Sequence, residues 1–357
     1  VCVLDHNGMM VAVSYDALLW LSFGGPEGPD DVMPFLENVT RGRGVPPERL
    51  AEVAEHYHHF DGVSPINELN RQAIAAVERE FAGSGLDLPV YFGNRNWHPM
   101  VEDTLGRMAS DGVSAALVFP TSAYGGYSAC RQYDEDIARA RAAVGDEAPR
   151  LTKLRQFFDH PLFVEAFAAA VRQAHGELNR AHARTVFVAH SIPTVADHAS
   201  GPPGSGGERY SRQVFEASRL VAERAGLGDY DVVWQSRSGS GQVPWLEPDI
   251  VDHIDSLHAD GVTDVVVCPI GFVSDHLEVI WDLDNEAAER AGEHGMGFAR
   301  AATPNGDPRF AELVVELVGE HVAGATTRKL SDFPQAGCTR DGAPCAVGCC
   351  EPPGRGG

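Results

Sequence analysis

The sequence is short of positive charge. Twenty-eight Lys and Arg stand against 51 Asp and Glu in 357 residues, a formal net charge of −23. A nucleic-acid backbone would be repelled by such a chain, whereas cations would be drawn in. Long apolar runs are missing as well: none approaches the ~20 residues of a membrane span. The opening VCVLDHNGMMVAVSYDALLWLSF carries no Lys or Arg ahead of its apolar stretch. It reads poorly as a signal peptide and points to a cytoplasmic protein. Cysteine is scarce until the end of the chain. Cys2, Cys130 and Cys268 are dispersed, while Cys338, Cys345, Cys349 and Cys350 crowd together. An odd total argues against an extracellular disulfide framework and for a metal or cluster site in a reducing compartment. What is present is ordinary for a globular protein: 43% hydrophobic and 22% charged residues, and a length that suits roughly two domains.

Short β-rich runs alternate with helical stretches. Strands are expected at 17–22, 88–92, 115–119, 150–154, 185–189, 231–235, 264–268 and 297–301. They are near-continuous apolar runs, as parallel strands covered on both faces read. The alternation predicts α/β architecture, with four strands in each of two similar doubly wound domains. We place a short N-terminal extension, poorly ordered, at 1–14, the domains at 15–157 and 158–330, and a Cys-rich tail at 331–357. That tail, SDFPQAGCTRDGAPCAVGCCEPPGRGG, has no helical or strand period. It is either disordered or ordered by a metal centre.

Ligands of open α/β sheets bind beyond the carboxyl ends of the strands. After the first strand comes SFGGPEGPDD. It is not GxGxxG and lacks a P-loop Lys, so it reads as a tight turn as readily as a ligand loop. The third strand runs into FPTSAYGGYSACRQY, whose Tyr124, Tyr127 and Tyr133 suit either a flat aromatic ligand or a packed loop core. The fifth strand ends at His190, which taken alone is more often structural than catalytic. The seventh is followed by Asp275, His276 and Glu278, and then Asp282 and Glu286 at steps of four. On an α-helix this spacing puts three carboxylates on one stripe, about 6 Å apart. Such a stripe is either a solvated acidic face or a path handing a cation from one carboxylate to the next. Carboxylate with imidazole can hold Fe(II).

The blocks LSFGGPEGPDDVMPFLENVTRGR, HYHHFDGVSPINELNRQ, YFGNRNWHP, FPTSAYGGYSACRQY, VAHSIP, WQSRSGSGQVPWLEPD and CPIGFVSDHLEVIWDLD resemble the successive signature blocks of ferrochelatases, from about residue 16 to 322. The resemblance implies two Rossmann-like domains with a porphyrin in the cleft between them, and insertion of ferrous iron, the metal substrate, into that porphyrin. It implies that His190 and Glu278 are the catalytic pair, each a base or a donor to iron. Asp282 and Glu286 would form the iron entry path, with Asp275 and His276 as polar cleft residues. Ser64 and Tyr133 match positions that contact the macrocycle in coproporphyrin-type members. Some bacterial members carry a tyrosine right after the first strand as an axial ligand. Phe23 stands there in this chain, so Tyr124 is the candidate substitute; by the resemblance Phe23, Tyr124 and His56 join Ser64 and Tyr133 as expected porphyrin-binding residues.

A subset of the family holds a [2Fe–2S] cluster on four thiolates. By resemblance these are Cys130, Cys338, Cys345 and either Cys350 or Cys349, with zinc as the chemical runner-up. Cys2 and Cys268 read as spectators. The likeness to actinobacterial members implies coproporphyrin III as substrate. Candidates for its extra propionates are Arg41, Arg43, His56, Tyr57, Ser64, Arg131 and Tyr133. The partners expected are therefore coproporphyrin III and Fe2+, without nucleic acid, and with transient contacts to other haem-pathway enzymes. Alternative readings are a protoporphyrin IX ferrochelatase, a cobalt or nickel chelatase, and a haem carrier; a carrier has no need of an acidic path.

Overall fold

A computed structural model describes residues 2–4, 10–12, 14–42, 44–179, 182–237, 243–333 and 347–351. Cys2–Leu4 (β1) pairs antiparallel with Met10–Ala12 (β2), apart from the two main sheets. The first main sheet holds Ala17–Ser22 (β3), Val90–Asn94 (β4), Ala115–Pro120 (β5) and Arg150–Lys153 (β6). The second holds Arg184–His190 (β7), Tyr230–Gln235 (β8), Asp264–Cys268 (β9) and Gly297–Arg300 (β10). All eight expected strands are present, within two residues at each end. Every residue of ALLWLS, AALVFP and DVVVC is buried, because helices cover both faces of each sheet.

The sheets are parallel and run β4-β3-β5-β6 and β10-β9-β7-β8. Counted within each half, both have the order 2-1-3-4. The two halves therefore repeat in topology even though no residue-level repeat is visible. In this order the connections leave in opposite directions from the first and third strands, and their carboxyl ends form the crevice where ligands settle. In the first sheet that crevice lies beyond Ser22 and Pro120. In the second it lies beyond His190 and Cys268.

One apolar core runs through both halves. It joins Trp20 and Phe119 of the first sheet to Phe187 and Val266 of the second through Phe157, Phe167 and Phe310. The last helix, Pro308–Val322, packs on Ile66–Ser84 from the first half and Pro161–Leu178 from the second. The chain passes between the halves at Arg155, whose guanidinium donates to both carboxylate oxygens of Glu320 at 2.8 and 2.9 Å. The crossover is thus anchored to the final helix by a buried ion pair.

Candidate active site

The crevice of the second sheet is assembled by a close approach. Gly271 lies so near β7 that an added Cβ would stand 2.6 Å from that of Ala189. Its amide donates to the Val188 carbonyl at 3.1 Å. Only glycine fits, and the contact draws the loop of residues 269–276 against the end of β7, beside His190. The ring Nδ1 of His190 lies 2.5 Å from the Ser191 carbonyl oxygen. A carbonyl can only accept, so Nδ1 carries the proton and Nε2 keeps a lone pair for chemistry. The phenol of Tyr210 donates to the His190 carbonyl at 2.8 Å, which fixes the backbone as well.

His276 follows in the same loop. Burial pushes its pKa down, the Glu278 carboxylate pulls it up, and His190 pushes it down again. The two imidazoles and Glu278 therefore share one electrostatic environment. Glu278 itself is exposed, between the buried Leu277 and Val279. Leu277 is seated among Phe35, Leu36, Leu50 and Tyr57 of the first half, so this segment is pinned across the cleft.

The acidic ladder departs from the α-helical stripe expected. Only Leu277–Val279 is α-helical, and Ile280–Ala287 is a π-helix. Hydrogen bonds there span five residues instead of four, and such segments concentrate at functional sites. Residues four apart still share a face. Glu278, Asp282 and Glu286 line one cavity of about 290 Å³, together with His56, Tyr57 and Asp249. Burial first, and then the charges of Glu278, Glu286 and Asp249, raise the Asp282 pKa to about 7 against the opposing hydrogen bond from Ser236. Gln235 donates to the same carboxylate at 3.0 Å. Burial, Glu278 and Asp282 likewise hold the Tyr57 phenol neutral.

A raised acid pKa means that the folded state binds this proton more tightly than the unfolded chain does. Asp282 therefore costs stability increasingly from about pH 4 to about pH 7, where the unfolded side chain is charged and the buried one is not yet. If the ladder conducts iron, the half-saturating iron concentration should rise as pH falls through about 7 and Asp282 becomes neutral. In Asp282→Asn that rise should vanish. Steady-state iron titrations across this range check it; a wild-type iron KM that is flat in pH counts against a conducting role for Asp282.

Several expected contacts are placed otherwise. Tyr124 is corrected as a metal ligand: it is buried, burial drives its pKa well up, and its hydroxyl donates to the Ile270 carbonyl at 2.6 Å. It ties the loop after β5 to the loop after β9 across the halves. Tyr133 lies in the core beneath the Arg95 guanidinium, 4.2 Å from its ring centre. His56 stacks on Trp281, with ring centres 4.0 Å apart and planes within 9°. Phe23 packs edge-on against Phe35. Ser64 is buried against the glycine loop, where a Cβ on Gly25 would meet its own Cβ at 2.7 Å. Arg131 is committed to Glu135 and to the Cys349 carbonyl. Arg41 is exposed, and Arg43 lies outside the described residues.

Residues 347–351 of the tail dock beside the Cys130 segment, where Arg131 donates to the Cys349 carbonyl at 3.2 Å. Gly201 donates its amide to the Cys350 sulfur at 3.1 Å and accepts from the Cys350 amide at 3.0 Å. The Cys349 and Cys350 sulfurs are 3.8 Å apart, and both residues are buried. Cys130, in the π-turn Tyr127–Arg131, receives the Lys153 ammonium at 3.2 Å. Among the described residues no three His, Cys, Asp or Glu side chains could hold a metal ion. Cys338 and Cys345 lie outside those residues. Cys268 is buried at the end of β9 with its thiol pKa raised by burial, as befits a spectator.

Sequence reasoning missed Trp281, Gln235, Ser236 and Arg300 as parts of this site. The signal available was their position, at or just beyond strand ends for three of them and inside the acidic block for Trp281.

Two sheets of one topology, with a histidine and an acidic ladder at the crevice of the second, define a chelatase-type α/β protein. SirB from Bacillus subtilis with Fe3+ superimposes with a TM-score of 0.53 at 13% identity, over 87% of this chain and 97% of that one. The sirohydrochlorin chelatase SirB from Bacillus subtilis subspecies spizizenii with cobalt gives 0.50 at 12% identity, with the same coverage. At such identities the likeness is one of fold. The ferrochelatase family model matches residues 15–322. The chain is 68% identical to the coproporphyrin III ferrochelatase of Nocardia farcinica over 95% of its length and 97% of that protein. To that of Mycolicibacterium smegmatis it is 60% identical, over 94% and 99%. The chain belongs to the ferrochelatase family.

Proposed function

We propose that this protein inserts ferrous iron into coproporphyrin III, releasing two protons per turnover. The observation that carries the reading is the junction of His190, with its available Nε2, and Glu278 at the head of the acidic cavity. It is supported by family membership and by the relatives' names. A free-base porphyrin must give up two pyrrole protons as the metal enters. His190 Nε2 takes a proton, and its Nδ1–H, held by the Ser191 carbonyl, steadies the imidazolium that forms. Glu278, exposed and fed by Asp282 and Glu286, delivers the iron and can take up the second proton. The two lobes, residues 15–157 and 158–330, supply the cleft walls, and binding energy from the rest of the macrocycle supports its distortion. Anaerobic Fe(II) with coproporphyrin III should extinguish free-porphyrin fluorescence in the presence of the protein. Fluorescence that decays no faster than without protein overturns the proposal.

The same reading includes a [2Fe–2S] cluster, a cytoplasmic location and transient contacts with other haem-pathway enzymes. The residues present suit the cluster: Cys130 and Cys350 each have an N–H donor on sulfur, which favours thiolate ligands. Cys130, Cys338, Cys345 and Cys350 or Cys349 would hold it. When bound, it can exchange single electrons and pin the tail. Protein as isolated should be brown with two irons and two sulfides per chain, and Cys130→Ser should be colourless. One zinc per chain in colourless wild type would decide for a zinc site instead.

A further inference from the structure

Trp281 stands in the π-helix Ile280–Ala287 of the second half and is enclosed by rings of the first. His56, in the helix Pro47–His58, stacks on it face to face, with centres 4.0 Å apart and planes within 9°. His59 and Phe60, just beyond that helix, meet it edge-on at 5.6 and 6.3 Å. The indole Nε1 donates to Glu286 Oε1 at 2.9 Å. The π-turn is what allows this bond. On an α-helix, residues five apart point about 140° away from one another, whereas a π-turn bonds residues five apart and so brings them together. His56, Trp281 and Glu286 all line the acidic cavity, so the two halves of the chain meet at it.

We propose that Trp281 is a positioning residue of the metal path: its indole holds one oxygen of Glu286 and leaves the other to a divalent cation entering the cavity, and His56 holds the indole across the cleft. Glu286 is exposed, and a free glutamate side chain must lose rotamer freedom before it can bind a metal. The indole removes that cost beforehand. It suits the task chemically, since its N–H is a donor without a lone pair and cannot compete for the metal. With one oxygen engaged, the carboxylate meets a cation through the other alone. A transported ion must be bound well enough to enter and weakly enough to leave, and a single oxygen serves both ends. The Glu286 end of the path is then complete only while the two halves are together. The inference rests on reading Glu278, Asp282 and Glu286 as the metal path.

Co(II), an air-stable probe, is titrated calorimetrically and by its d–d absorption into the full-length protein without porphyrin. Trp281→Phe keeps a ring against His56 and removes the N–H. It should bind Co(II) about fivefold more weakly, as releasing one ordered carboxylate would give. Added to Glu286→Gln, the same change should have no further effect, because the carboxylate it positions is gone. A merely structural tryptophan would cost the same in both backgrounds. Unchanged binding in a folded Trp281→Phe, or an equal loss on top of Glu286→Gln, overturns the proposal. Should Trp281→Phe not fold, His56 decides. His56→Ala frees the indole and should weaken Co(II) about as much, whereas His56→Phe restores a ring without a nitrogen and should stay within about twofold of wild type. Equal losses in the two would make His56 itself a metal ligand and overturn the proposal, and so would no loss in His56→Ala. Glu286→Gln alone tests the underlying reading. If it leaves Co(II) binding unaltered, the path fails at this carboxylate, whatever Trp281 does.

Discussion

Glu278→Gln and His190→Ala should each lower kcat for iron insertion by about a thousandfold, within the range that positioned acid–base groups supply. The two losses have different origins. In Glu278→Gln the side chain keeps its size and its place between Leu277 and Val279, but loses the charge that is proposed to receive iron and accept a proton. In His190→Ala the imidazole and its Nε2 lone pair disappear, together with the Ser191 contact at 2.5 Å. Neither change touches the core: Glu278 is exposed and His190 half-buried. Melting temperatures and porphyrin affinity, read by fluorescence quenching, should therefore stay close to wild type. The double variant should be hardly slower than either single one, since residues acting as a unit are not additive. Near-normal turnover in either variant would remove that residue from the mechanism. A loss confined to the iron KM in Glu278→Gln would make Glu278 a relay and leave proton transfer to His190.

How much of this was legible in the sequence follows from what each feature depends on. The strands were, because a segment buried on both faces must be apolar throughout, and ALLWLS or DVVVC has no other good use in a folded chain. The shared 2-1-3-4 order was not, since strand order is set by which apolar faces meet in three dimensions. The steps of four from Glu278 to Glu286 placed three acids on one face correctly, yet a period of four does not separate an α- from a π-helix. Strand-end aromatics were ambiguous for a similar reason. Tyr124 could have faced the cleft, and it is the Ile270 carbonyl, 146 residues away, that takes its hydroxyl. Arg300 lay inside the strand expected at 297–301 and was not singled out. Its partners, Asp275 and Asp284, lie 25 and 16 residues back, a separation that no local pattern encodes.

The remaining large effect concerns the substrate. Coproporphyrin III should be used with about thirtyfold higher kcat/KM than protoporphyrin IX. It carries four propionates, where protoporphyrin carries two propionates and two vinyl groups. Each additional carboxylate at a solvated cleft edge gains up to ~1 kcal/mol from a cationic partner, and two such gains multiply to roughly thirtyfold. The deep positions cannot provide these partners: Tyr57 is a buried neutral phenol, Tyr133 lies under Arg95, and Arg131 is taken by Glu135 and the tail. Of the candidate cations, Arg41 is exposed and is proposed to supply such a pair at the cleft rim. Rim pairs are screened by salt, so the preference should shrink at high ionic strength. Arg41→Gln should narrow it by a few-fold, the worth of one exposed pair, while leaving protoporphyrin kinetics unchanged. A cleft built for vinyl groups would behave differently, because burying unpaired propionates costs several kcal/mol and coproporphyrin would be rejected at every salt concentration. Parallel anaerobic assays with the two porphyrins at low and high salt distinguish these cases. Equal or higher kcat/KM for protoporphyrin IX would place the extra propionates outside any cationic rim and withdraw coproporphyrin III as the preferred substrate.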